Sequence, residues 1–226
     1  MRIAPLLTLL TALACARPPE PQTAAAVAAN TGELPTGTPA QAESLLVDVQ
    51  SLAPGIRVDL RYRGANNFTG APLPGYEANR AFLRREAAQA LARVQQRLEP
   101  DALTLLVWDA YRPVRATLAM VDWTQRVGRE DLVRDGYIAA RSRHNLGLAI
   151  DLTLADRTTG EPLQMGTAFD TFSTAAHTDS ATGPAMLNRD RLRRAMESEG
   201  WSNYAQEWWH FSFTAERQLR FDVPVR

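Results

Sequence analysis

Ser142-Arg143-His144-Asn145-Leu146-Gly147-Leu148-Ala149-Ile150-Asp151 runs from a loop into an apolar strand that continues to Leu154. Asp151 is the one charged residue in that strand. A carboxylate among buried apolar side chains is costly unless it is paired or coordinates a metal. His144 lies in the loop feeding the strand, placed to fold back over the strand's end. Gly147 gives the backbone its freedom at the turn.

The second decisive stretch is Glu207-Trp208-Trp209-His210-Phe211, where Trp208 to Phe213 alternates like a strand. If that strand neighbours the Asp151 strand, then His144, Asp151 and His210 converge. Two histidines and one carboxylate with a fourth position open is a catalytic zinc arrangement. Glu207, three residues before His210, is placed to take a proton from water on such a metal, whose pKa the ion lowers to about 7. Taken singly, each residue has an ordinary reading. A lone histidine beside a strand is commonly a satisfied core or surface residue, and a strand aspartate sits at an edge or pairs with an arginine. The joint pattern is what points to a metal. The single cysteine, Cys15, excludes an intrachain disulfide and a multi-cysteine zinc site.

Around these strands the pattern is mixed. Leu45 to Asp59 reads as an opening extended segment, and Asn66–Gly70 and Pro72–Gly75 as loops. Helical spacing covers Asn79 to Leu98, Val114 to Val127 after Pro113, and Asp190 to Glu199 before Gly200. Leu103 to Trp108 is an apolar run of strand length. The fold class is α+β: one domain with a small, mostly antiparallel sheet, helices packed on it, and the metal site at the sheet. The chain carries 25 basic and 25 acidic side chains, a net charge of +0 that argues against a nucleic-acid surface.

The N-terminus differs from the rest. Arg2, the apolar run Ile3 to Leu13, and Ala12-Leu13-Ala14 read as a signal peptide over residues 1–15. Cys15 directly after Leu13-Ala14 resembles a bacterial lipobox, although Ala12 stands where leucine is usual. Residues 16–43, rich in Pro, Ala, Thr and Gly, read as a flexible tether, which leaves 44–226 as the folded domain. The expected location is therefore outside the cytoplasm, in the periplasm or lipid-anchored to the cell envelope, with Cys15 as the sole membrane attachment.

Beyond single residues, Ser142-x-His144 with Gly147 and Asp151, plus Glu207-x-x-His210, resembles the zinc D-Ala-D-Ala dipeptidases, including the vancomycin-resistance type. Asp59-Leu60-Arg61-Tyr62, Asn67-Phe68-Thr69-Gly70, Gly75–Arg80, Trp108-Asp109-Ala110-Tyr111-Arg112-Pro113 and Met165-Gly166 through Phe169-Asp170 fit the same family, so the resemblance runs from about Gly55 to Val225. It implies one zinc per chain on His144, Asp151 and His210, Glu207 as general base and acid, and Arg112 stabilising the tetrahedral intermediate. The implied reaction is hydrolysis of the D-Ala-D-Ala dipeptide. The alternative is a D,D- or L,D-carboxypeptidase acting on longer wall peptides. A free dipeptide needs an acceptor for its ammonium and a donor for its carboxylate. Asp170, with Tyr62 beside it, suits the ammonium. Ser142 suits the peptide or the carboxylate. Asp109 either holds Arg112 or caps a strand end. His177 reads as exposed or on a pocket rim, and Thr171 to Pro184 as a lid.

Overall fold

The strand holding Asp151 is the centre of a five-stranded sheet in the computed structural model, which describes residues 34–216 and 218–226. In chain order the elements are α1 Pro39–Leu45, β1 Leu46–Asp48, α2 Val49–Leu52, β2 Arg57–Val58, β3 Phe82–Arg84, α3 Arg85–Leu98 and β4 Leu103–Asp109. They continue with α4 Val114–Val127, α5 Asp131–Arg134, β5 Ala149–Asp156, α6 Gly183–Glu197, β6 Trp201–Tyr204 and β7 Glu207–Phe213. The sheet order is β2-β4-β5-β7-β6, with β2 parallel to β4 and every other pair antiparallel. A separate two-stranded ribbon pairs β1 with β3. The α+β expectation, with a mostly antiparallel sheet, therefore holds.

Helices α3 and α6 pack on each other and on this sheet. α3 buries Ala87, Leu91, Val94 and Leu98 along one stripe, while α6 contributes Leu192 and Met196. Each fully buried leucine or valine contributes about 1.5–3 kcal/mol. β5 is buried along nearly its whole length, which is why its sequence is a continuous apolar run. α4 spans the predicted residues and closes on Gly128, whose left-handed backbone (φ 68°) ends the helix.

Register places the chemistry. Asp151 on β5 lies directly opposite His210 on β7 and, across the other edge, opposite Asp109 on β4. Three polar side chains thus stand in one row across three strands.

Four expectations are corrected. Residues 16–43 read as tether, yet Thr38 caps α1 through a reciprocal bond with Gln41, and Ala42 is buried. A seven-residue helix is too short to show an apolar period, so the folded chain starts before residue 44. Leu45 to Asp59 is not one extended segment but β1, α2 and β2, because the Asp48 side chain caps a helical turn there. The helix expected from Asn79 begins at Arg85, since Phe82–Arg84 is taken by pairing with β1. The helix expected from Asp190 begins at Gly183, with proline in its first turn. The signal peptide, Cys15 and residues 16–33 of the tether lie outside the described residues.

Candidate metal and catalytic site

His144 is presented by a short helical turn, Arg143–Leu146, that feeds β5. The Ser142 side chain caps this turn by accepting the His144 amide at 3.2 Å. Gly147 ends it in the left-handed region (φ 66°), and a Cβ there would lie 2.6 Å from Leu46 Cδ2. The left-handed backbone therefore favours glycine, and any larger residue would also make the Leu46 side chain shift. The His144 ring is fixed at Nδ1, which lies 2.6 Å from the Ala110 carbonyl oxygen. Nδ1 is then the donor, and Nε2 keeps its lone pair for the cleft.

His144 Nε2 lies 3.3 Å from His210 Nδ1 and 3.4 Å from Asp151 Oδ1, and His210 Nδ1 lies 2.9 Å from Asp151 Oδ1. Ligand bonds of 2.0–2.1 Å in a tetrahedron put donor atoms about 3.3 Å apart. Two edges of this triangle match, and the third needs only to lengthen slightly. The residues present fit a tetrahedral metal ion. Burial alone would raise the Asp151 carboxyl, but His144 and His210 outweigh it and hold the group well below the ordinary carboxylate range. Burial pushes the His210 imidazole down despite Asp151, favouring the neutral ring that can donate a lone pair. His210 Nε2 is in turn oriented by Ser212 Oγ at 3.3 Å.

Glu207 opens β7, three residues before His210, with Oε2 3.9 Å from His210 Nδ1. It is buried. Burial, followed by the nearby Asp151 and Asp170 carboxylates, raises its pKa well above the ordinary glutamate value, and Arg112 opposes this. A carboxylate so perturbed beside a metal-binding group has the profile of a general base.

Arg112 follows β4 and points into the same cleft. Asp109 Oδ2 accepts from its Nε at 2.9 Å and pairs with its Nη2 at 2.8 Å. Nη2 is also 3.7 Å from Asp151 Oδ2, and Met120 Sδ accepts from Nη1 at 3.3 Å. Of the two readings for Asp109, the structure shows the one in which it grips Arg112. The other Asp109 oxygen accepts from Tyr76 at 2.6 Å.

Asp170 and Tyr62 line the cleft, and the Tyr62 hydroxyl donates to both Asp170 oxygens at 3.0 and 3.1 Å. Asp170 takes a left-handed backbone (φ 57°), uncommon for a residue with a side chain. Burial and then Asp151 raise its carboxyl well above the usual range, partly offset by the Tyr62 bond. His177 stands apart from the metal group, half-buried, with Nε2 3.3 Å from the Tyr137 hydroxyl. The segment expected to be a lid is tied down: Arg189 donates to the carbonyls of His177 at 2.7 Å and Ala175 at 3.1 Å.

All the expected site residues except Asp109 line one cleft of about 490 Å3, and Asp109 sits behind it holding Arg112. Three contributors had no role legible in the sequence. Tyr76 supports Asp109, Met120 supports Arg112, and Asn203 donates to the backbone oxygens of Glu207 at 3.2 Å and His210 at 3.0 Å. No local pattern marks these roles, because each residue acts across the fold.

The family model described as D-Ala-D-Ala dipeptidase, peptidase M15, matches residues 42–223. The D-alanyl-D-alanine dipeptidase of Streptomyces coelicolor is 38% identical over 194 residues, covering 78% of this chain and 96% of its own. That of Enterococcus faecium is 36% identical over 190 residues, 76% of this chain and 94% of its own. That of Escherichia coli is 34% identical over 168 residues, 74% and 83%. Among solved structures, the vancomycin-resistance D,D-dipeptidase VanXYg with a D-Ala-D-Ala phosphinate analogue aligns at a TM-score of 0.40 and 21% identity, over 75% of this chain and 66% of its own.

Proposed function

This chain belongs to the D-Ala-D-Ala dipeptidase family of M15 peptidases, and from that premise we propose that it hydrolyses D-Ala-D-Ala with one zinc ion held by His144, Asp151 and His210. The observation that carries the reading is the close triangle of His144 Nε2, Asp151 Oδ1 and His210 Nδ1, with Glu207 beside it on β7. Zinc held there supplies Lewis acidity, making water a nucleophile near neutral pH and polarising the attacked carbonyl.

The chain's own groups do the rest. Glu207 takes the proton of the attacking water and gives it to the leaving amine as the peptide C–N bond breaks. The carbonyl oxygen becomes anionic in the intermediate, and Arg112, held rigid by Asp109, stabilises it there. Asp170 and Tyr62 receive the substrate's ammonium, and Ser142 its peptide or carboxylate. A carboxylate dedicated to a free ammonium favours a dipeptide over the end of a longer stem peptide.

The test is to incubate zinc-loaded protein with D-Ala-D-Ala, L-Ala-L-Ala and a stem pentapeptide. Cleavage of D-Ala-D-Ala is the expected result, and cleavage of the pentapeptide alone overturns the dipeptidase reading.

We also infer, from residues 1–15, that the enzyme is exported and works on released dipeptide in wall turnover or nutrient recovery. Lipidation of Cys15 would be its membrane anchor. A reporter fused to the first thirty or so residues and found in the cytoplasm overturns this.

A further inference from the structure

Asp170 stands on the segment between β5 and α6, and one buried side chain ties that segment together. Arg189 lies on α6 and is buried. Its guanidinium donates to the carbonyl oxygens of Met165 from Nε at 2.7 Å, His177 from Nη1 at 2.7 Å and Ala175 from Nη2 at 3.1 Å. One acceptor precedes Asp170 and two follow it. No carboxylate pairs with Arg189 among the described residues, and burial pulls its pKa down unopposed. A buried cation matched only by neutral carbonyls is costly. Its planar fork, however, reaches three carbonyls at once, which no apolar side chain of that length can do. The next residue back, Asn188, adds a fourth tie by donating to the Gln164 carbonyl oxygen at 2.9 Å.

Between the clasped ends, Phe169 packs against Trp108 and Trp209, with ring centroids 5.1 and 5.5 Å apart. Asp170 follows it in the left-handed backbone (φ 57°). A residue with a side chain holds that conformation only where its surroundings over-determine it. The Arg189 guanidinium also lies over the Trp208 ring, 5.6 Å from its centroid, and Trp208 Nε1 donates to Thr167 Oγ1 at 2.8 Å. The segment is thus fixed to α6 and to β7 on both sides of Asp170. We propose that Arg189 is a positioning residue for Asp170: by clasping Met165, Ala175 and His177 it holds that carboxylate where the substrate ammonium arrives. This rests on the dipeptide reading above.

The experiment measures kcat and KM for D-Ala-D-Ala on zinc-loaded wild type, Arg189→Met, Arg189→Lys, Asp170→Asn and the double variant, with zinc content determined in each. Arg189→Met raises KM about tenfold to a hundredfold, moves kcat less and keeps its zinc. Arg189→Lys, which keeps the charge but not the fork, gives a smaller rise, and it takes the place of Arg189→Met throughout if that variant does not fold. In the Asp170→Asn background the Arg189 change adds little to KM, because the carboxylate it positions is gone. Losses that multiply in full make Arg189 a strut for the fold and overturn the proposal. A wild-type KM in the Arg189 variants, or a fall in kcat alone, overturns it too. Wild-type protein that leaves D-Ala-D-Ala intact overturns the dipeptide reading itself, a result distinct from these.

Discussion

Asp109 grips Arg112 through one carboxylate oxygen, 2.9 Å from Nε and 2.8 Å from Nη2, in a pair removed from solvent on both sides. Removing one partner strands a buried charge. Asp109→Ala is expected to destabilise the protein by about 3–5 kcal/mol in urea unfolding. The fraction that stays folded should lose kcat because Arg112 is no longer fixed. Unfolding midpoints equal to wild type would remove Asp109 from the role assigned to it.

Glu207 stands 3.9 Å from His210 Nδ1, outside the triangle, and is the proposed general base. Glu207→Gln keeps the shape and loses the base. Its kcat on D-Ala-D-Ala should fall about 10²–10⁴-fold while zinc content stays at wild-type level. Full activity with zinc bound would sink the mechanism.

Asp170 has a raised pKa from burial and from Asp151. For a carboxyl raised on folding, the stability contribution is present below the unfolded pKa and is lost as pH rises through the folded value. Asp170 therefore costs stability above the unfolded carboxyl pKa of about 3.9. Asp170→Asn should be more stable than wild type at pH about 8, with the advantage shrinking toward pH about 4, where the unfolded carboxyl also protonates. Its KM should rise, since the ammonium loses its charged partner. Urea titrations at both pH values decide this, and a gain that grows on acidification contradicts it.

Zinc held by the proposed triangle of His144, Asp151 and His210 would bind the folded chain alone. Restoring zinc to chelator-treated protein at a hundredfold over its dissociation constant should add about 2.7 kcal/mol of stability. The rise in thermal midpoint should vanish in Asp151→Asn. A midpoint indifferent to zinc in the wild type argues against the site.

Gly147 links the His144 turn to β5 with φ 66° and Leu46 Cδ2 2.6 Å from where a Cβ would stand. Gly147→Ala should cost more than about 1 kcal/mol and weaken zinc binding, because His144 is displaced. Equilibrium unfolding and zinc competition with a chelator measure both.

The strands and the metal residues were legible because their signals are local. A charged residue inside the apolar run Leu148–Leu154 shows itself, and α4 announces its start with Pro113. β3 did not show itself. Phe82–Arg84 sits next to a strong helical period, and three residues become a strand only because β1 offers a partner. The start of α6 at Gly183 was hidden in a segment whose Thr, Gly and Pro read as loop. Tyr76 was visible as part of a motif but had no role until the fold placed it 2.6 Å from Asp109.

By itself, the sequence determined which residue types could form the site and that Leu148 to Leu154 is an apolar strand carrying one carboxylate, since side-chain chemistry and hydrophobic pattern are local properties. Tertiary structure alone decided the register that sets Asp109, Asp151 and His210 in one row. It also decided which oxygen of Asp109 each partner takes. The physical reason is that strand pairing joins residues 42 and 59 positions apart through backbone hydrogen bonds. No pattern along a single strand encodes which partner it meets.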